Sequence, residues 1–206
     1  MANILIVKAH PFSEDVSRSM KVTNAFIESY KEHHPEDKVE ELNLYDISLP
    51  EIDRDLLNAW SSLQSGQPFY ALTPAQQHKV TLFDSFTDSF LASEKVVIAN
   101  PLWNLSVPTR LKAWLDTITV AGKTFKYTDH GSIGLLTGKK VLHIQANGGM
   151  YSGKDPASQY VKTLFNFLGV EDFHQLFVEG MDHQPERAAE IVSEAIQQAM
   201  EMAKSF

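Results

Sequence analysis

The sequence predicts an α/β fold: one domain over residues 1–206, built on a doubly wound parallel five-stranded sheet with helices on both faces. Two observations predict it. Short apolar runs alternate with segments at helical spacing about five times, with no repeat and no low-complexity linker between them. The strongest runs are continuously apolar, as strands covered on both faces should be. Five such βα units point to the strand order 2-1-3-4-5 and to a ligand at the carboxyl ends of the strands.

Asn3–Lys8 (NILIVK) is the first strand, ended by His10-Pro11. Ser17 to Tyr30 follows at helical spacing, with Val22, Phe26 and Tyr30 four apart and Ser17 as N-cap. Lys38–Leu44 is a second, more polar strand near an edge. Residues 45–72 read as irregular, broken by Pro50, Gly66 and Pro68, with room for a helix over Ile52–Ser62. Thr73 caps and Pro74 opens a long helix whose stripe is Val80, Phe83, Phe86 and Phe90. Val96–Ala99 is the third strand and stops at Asn100-Pro101. Pro108 opens a helix with Leu111, Trp114, Leu115 and Ile118 on one face, and Gly122 ends it. Thr124 to Gly138 reads as a surface excursion. Val141–Gln145 is the fourth strand, ended by Asn147-Gly148-Gly149. Tyr160, Val161, Leu164, Phe165 and Leu168 mark a helix that Gly169 terminates. Phe173–Glu179 is the last strand, and Pro185 to Lys204 is the closing helix.

Composition narrows the function. The 26 acidic and 18 basic residues give a net charge of −8, which argues against nonspecific binding to nucleic acid or anionic membranes. Cysteine is absent, which removes disulfides, thiolate metal sites, iron–sulfur clusters and thiol redox chemistry. No apolar run approaches the roughly 18 residues of a membrane span. The start, MANILIVKAH, lacks the basic region and small-residue cleavage site of a signal peptide. The expectation is a cytoplasmic protein.

The loop after the first strand has neither G-x-G-x-x-G nor G-x-x-x-x-G-K-[ST], which disfavours a dinucleotide-binding unit and a P-loop. It offers Ser17-Arg18-Ser19 at a helix start instead. Two hydroxyls, free N–H groups, a guanidinium and the positive helix end make an anion site; the alternative is a capping serine with surface neighbours. His10 stands beside it, either structural or a donor to a phosphate. The second loop, Pro101 to Pro108, places Trp103 and Asn104 directly after a buried strand. An aromatic can wall a flat ring and an amide can serve the edge of a heterocycle, although packing and a turn would also explain them. In the third loop Gly148 and Gly149 allow close backbone approach, or a turn. Together the three loops favour a site for a flat, phosphorylated cofactor. No nucleophile elbow and no metal-ligand spacing is present.

Four stretches carry a family resemblance: Asn100–Asp116 (NPLWNLSVPTRLKAWLD), Ala121–Thr128 (AGKTFKYT), Leu136–Lys140 (LTGKK), and Gly169-Val170 through Glu179-Gly180. In these the chain resembles the bacterial FMN-dependent NADH-azoreductases, azo and quinone reductases of flavodoxin-like fold, and most of all the Gram-positive members that share K-A-H-P. The resemblance implies that Ser17, Arg18 and Ser19 hold the FMN phosphate, with His10 close by. Pro101, Leu102, Trp103, Asn104 and Leu105 would line the ring, and Ala146, Asn147, Gly148 and Gly149 would close over its other edge. It implies a homodimer with the active site at the subunit interface. Phe125 and Tyr127 would then wall the partner's pocket, where the alternative is a hairpin packed on its own core. Trp60 would line the substrate pocket, or serve simple packing.

The same resemblance implies NADH or NADPH as co-substrate and quinones or azo compounds as acceptors, in ping-pong hydride transfer. The flavin would carry the chemistry, so no protein acid or base is required. Two positions depart from the family. Leu102 stands where methionine is frequent, a near volume-conserving change. Ala146-Asn147 stands where some relatives have Ser-Arg, which removes a positive charge near the nicotinamide and hints at NADH. The competing readings are a flavodoxin-type FMN electron carrier and an FAD-dependent quinone reductase of the same fold. A phosphoacceptor receiver domain is disfavoured, because His10 and Asn100-Pro101 stand where it needs acidic residues.

Overall fold

A computed structural model describes all residues, 1–206. Its central strand is β1 (Asn3–Lys8), paired in parallel on one side with β2 (Lys38–Asn43) and on the other with β3 (Lys95–Pro101). The sheet continues in parallel through β6 (Lys140–Asn147) to β7 (Asp172–Glu179). The order is β2-β1-β3-β6-β7. Counted within the sheet this is 2-1-3-4-5, because β4 (Phe125–Thr128) and β5 (Gly131–Gly134) form a separate antiparallel hairpin.

Period-two alternation along β1 divides the core into two layers. Leu5 and Val7 face α3 (Pro74–Ala92), α4 (Thr109–Thr117) and α5 (Pro156–Phe167), whose Phe90, Trp114 and Phe165 fill that side. Ile4 and Ile6 face α1 (Arg18–His33) and α6 (Ala188–Ser205), with Phe26, Tyr30, Ala195 and Ala199. The small alanines of α6 let it lie close along α1. A satellite cluster joins α2 (Arg54–Gln64) to α3 through Leu56, Ala59, Val80 and Phe83.

Several boundaries differ from the sequence reading for local reasons. Ser17 is the N-cap of α1, as the sequence indicated; its Oγ accepts from the Met20 N–H at 3.3 Å. Residues 45–72 are not irregular throughout. Asp53 caps α2 by accepting from the Leu56 N–H, and a short 3-10 turn covers Phe69–Ala71. Thr73 and Gln76 form a reciprocal capping box at the start of α3. Gly122 does not end α4, which stops at Thr117. It sits instead at φ +84° in the turn that starts the hairpin. The closing helix begins at Ala188, after a 3-10 turn over Pro185–Arg187. No helix is long and apolar enough to cross a membrane.

The hairpin is fixed to the body by a glycine pair. A Cβ on Gly134 would lie 2.2 Å from both Gly169 N and Leu168 C, so backbone meets backbone there without side chains between. The Leu136 N–H donates to the Leu168 carbonyl at 3.0 Å beside this contact.

Candidate functional site

The carboxyl ends of β1, β3 and β6 open on one cleft of about 290 Å³. His10, Ser17, Arg18 and Ser19 line it from the β1–α1 segment, Pro101 and Trp103 from the end of β3, and Ala146, Asn147 and Gly148 from the end of β6. The three loops singled out in the sequence are therefore brought together. Val16 and Met181 also line it, and neither carried a signal in the sequence.

At the start of α1 the capping role and the anion-site chemistry coexist. Ser17 Oγ caps the helix and lies 3.1 Å from Ser19 Oγ. The N–H groups of Arg18 and Ser19 have no partner in the chain, as first-turn donors do not. Arg18 Nη1 donates to Asp182 Oδ1 at 3.4 Å, an exposed pair that leaves the guanidinium free to change partners. The result is two hydroxyls, two free N–H groups and a guanidinium gathered at the positive end of a helix dipole.

Trp103 forms the opposite wall. It is 40 % exposed, and its ring centroid lies 5.4 Å from that of His10, which in turn lies 5.8 Å from Phe12. His10 Nδ1 accepts from the Phe12 N–H at 3.0 Å. That bond leaves the proton of the neutral ring on Nε2. Burial lowers the His10 pKa below its ordinary value. Beyond Trp103 the chain reverses in a two-residue turn closed by mutual Trp103–Ser106 backbone bonds of 3.1 and 2.9 Å. Asn104 (φ +50°) and Leu105 (φ +59°) occupy left-handed backbone there and stand exposed. Asn tolerates that region, whereas Leu does so only with strain. Leu102 turns inward and packs against the core, so it does not line the cleft.

Beneath the cleft lies an unusual stretch of buried polar side chains. Asn100, His143, Gln145 and Asn147 are each at most 1 % exposed. His143 Nε2 donates to Asn100 Oδ1 at 2.8 Å, and the Asn100 amide reaches Gln145 Oε1 at 3.4 Å. Burial pushes the His143 imidazole down to about 4, against a smaller opposing pull from the Asp155 carboxylate. Gln145 Nε2 donates to both Asn147 Oδ1 (3.0 Å) and Asp155 Oδ1 (3.1 Å).

The remaining expected residues fall elsewhere in the subunit. Gly149 follows the cleft wall without lining it. Trp60 stacks edge-on against Phe83 at 4.9 Å and lines a separate apolar groove of about 380 Å³ with Ile52, Leu63, Val120 and Ala121. Phe125 is 6 % exposed within its own core, 4.8 Å from the Phe167 ring, while Tyr127 is 76 % exposed on the hairpin. The two rings meet edge-on with centroids 5.3 Å apart: Phe125 anchors the hairpin and Tyr127 is presented outward. Alternation along a strand puts residues 125 and 127 on the same face, so it gave no sign of this difference in burial.

The family model described as "Flavodoxin-like fold" matches residues 2–203. The FMN-dependent NADH:quinone oxidoreductase of Streptococcus suis is 44 % identical over 206 residues, covering 100 % of both chains. Its counterpart in Staphylococcus carnosus is 47 % identical over 212 residues, again covering 100 % of both. The crystal structure of an FMN-dependent NADH-azoreductase from Bacillus anthracis in complex with FMN superposes with a TM-score of 0.91 at 35 % identity, covering 100 % of this chain and 99 % of that one.

Proposed function

Because this chain belongs to the flavodoxin-like family and matches its FMN-dependent NADH:quinone oxidoreductases from end to end, we propose that it is an enzyme of that kind. It binds FMN, takes reducing equivalents from NADH and passes them to quinones, and to azo compounds as the structurally similar azoreductase does. The observation that carries the reading is the single cleft in which an anion cradle, an aromatic wall and a glycine-containing edge converge. These residues fit the cofactor. The cradle offers two hydroxyls, two free N–H groups and a guanidinium to a phosphate dianion, and Trp103 offers a flat face to a ring.

FMN, when bound, supplies the redox chemistry: it accepts hydride from the nicotinamide and donates it to the acceptor in two alternating half-reactions. The chain's residues bind and orient. Ser17, Ser19 and the start of α1 hold the phosphate, and Arg18 exchanges Asp182 for it. Pro101, Trp103 and Leu105 shape the ring slot, and the Asn104 amide meets a polar edge. Ala146 through Gly149 close the other edge. His10, whose Nδ1 accepts from the Phe12 N–H, offers its Nε2–H as a donor. The open cleft leaves proton delivery to solvent, so no side chain is assigned as an acid or base.

A homodimer completes the site in this reading. Tyr127 walls the partner's pocket with Phe125 as its buried support, and the groove at Trp60 serves the acceptor. NADH as donor suits a cytoplasmic location. The purified protein should show flavin absorbance that NADH bleaches without oxygen, and should oxidise NADH with menadione in steady state. A protein that takes up no FMN sinks the proposal. One that binds FMN but does not turn over is an electron carrier instead. Sizing at working concentration should give a dimer, and a fully active monomer would remove the shared site.

A further inference from the structure

We propose that Glu179, at the end of β7, is a positioning residue: its carboxylate sets the Asn147–Ser152 wall so that backbone N–H groups face the cofactor. The inference rests on reading the cleft as the FMN site. Glu179 Oε1 accepts from Asn147 Nδ2 at 2.7 Å. Its Oε2 accepts from the backbone N–H groups of Ser152 at 2.8 Å and Tyr151 at 3.3 Å. One carboxylate therefore grips both ends of the segment. The backbone just after it grips the middle. The Gly180 N–H donates to the carbonyls of Asn147 (3.3 Å) and Gly149 (3.0 Å), and the Asp182 N–H donates to that of Gly148 (2.9 Å).

The geometry has a consequence for the other side of each peptide. In a trans peptide the N–H points opposite to the carbonyl that precedes it. With the carbonyls of Asn147, Gly148 and Gly149 turned toward β7, the N–H groups of Gly148, Gly149 and Met150 point away from it. None of the three has a partner in the chain. Gly148 lines the cleft, so its segment presents donors where an oxygen-bearing ring edge would lie.

The side-chain chain behind the wall has one allowed polarity. Carboxylates only accept. Asp155 already takes the Ser158 N–H (2.8 Å) and hydroxyl (2.6 Å), and it draws the Gln145 NH₂ toward itself. That NH₂ also serves Asn147 Oδ1, so the Asn147 NH₂ must face Glu179. Two carboxylates at the ends thus fix both amides between them. Glu179→Gln breaks this order. One amide oxygen cannot serve both Asn147 and the Ser152 N–H, and the new NH₂ faces a donor.

The test uses apoprotein titrated with FMN, followed by flavin fluorescence, and amide hydrogen exchange on the same samples. Wild type binding FMN is the control for the cleft itself; if it fails, the proposed function falls and not this assignment alone. Glu179→Gln and Glu179→Asp, the latter one methylene too short to reach both ends, should each raise the FMN dissociation constant about tenfold. Exchange should quicken at residues 148–152 and not across the sheet. In wild type the Tyr151 and Ser152 amides should be protected with or without FMN, whereas Gly148 and Gly149 gain protection only when FMN is added. Folded variants with wild-type affinity would overturn the assignment. So would Gly148 and Gly149 amides that FMN leaves unchanged, a result that does not depend on either variant folding.

Discussion

Asn104 combines two jobs that a single substitution to alanine would confuse. Its φ of +50° needs a residue at ease in left-handed backbone, and its exposed amide stands beside Trp103. Alanine loses the amide and also strains the turn by about 1 kcal/mol, whereas glycine loses the amide alone. Asn104→Gly should therefore keep the thermal midpoint near wild type while weakening FMN retention or slowing reduction by NADH; unchanged holo content and rate would remove the edge-contact role. His143 makes a prediction about acid. Its native pKa is pushed down to about 4 from the ordinary 6.5, so the unfolded chain takes up a proton first as pH falls. The His143 contribution should lower stability between pH 6.5 and 4, by about 3 kcal/mol in total, and add nothing further below that. Urea midpoints across that range check it, and His143→Gln should flatten the slope.

At the scale of elements, the hairpin depends on backbone contact. Alanine at Gly134 would place its Cβ 2.2 Å from main-chain atoms of Leu168 and Gly169, which have no side-chain freedom with which to yield. Gly134→Ala should destabilise by about 3 kcal/mol in thermal melts. It should also lower activity more than flavin content, because Tyr127 moves with the hairpin. The sequence could not disclose this pairing, since two glycines 35 positions apart carry no local sign of touching. What was legible follows the same logic. The five apolar runs are central strands because a parallel sheet needs both faces covered. Thr73-Pro74 and Ser17 announce helix starts through backbone chemistry of their own. The helix α2 was only half legible. Asp53 is a sound cap, but Pro50, Gly66 and Pro68 on either side read as breakers, and the helix is held by the tertiary cluster around Leu56 and Phe83.

For the whole molecule, the strand ends were the legible part of the site, since a doubly wound sheet puts ligands there whatever the sequence. Ser17-Arg18-Ser19, Trp103 and Gly148 follow from that rule plus residue chemistry. Glu179 and Asp182 do not. They act on loops that lie far away in sequence, and a lone carboxylate at a strand end looks like any solvated one. The net charge of −8 is likewise silent on the cleft, where Arg18 and a helix start dominate locally.

The pair Arg18–Asp182 joins residues 164 positions apart, so the cleft mouth exists only once nearly all the chain is in place. Cofactor capture is then a late event in time, unable to nucleate the sheet and able to report its completion. In refolding from urea with FMN present, flavin quenching should appear no earlier than the slowest recovery of tertiary signal. A quench in the first phase would mean that the α1 start alone captures the cofactor.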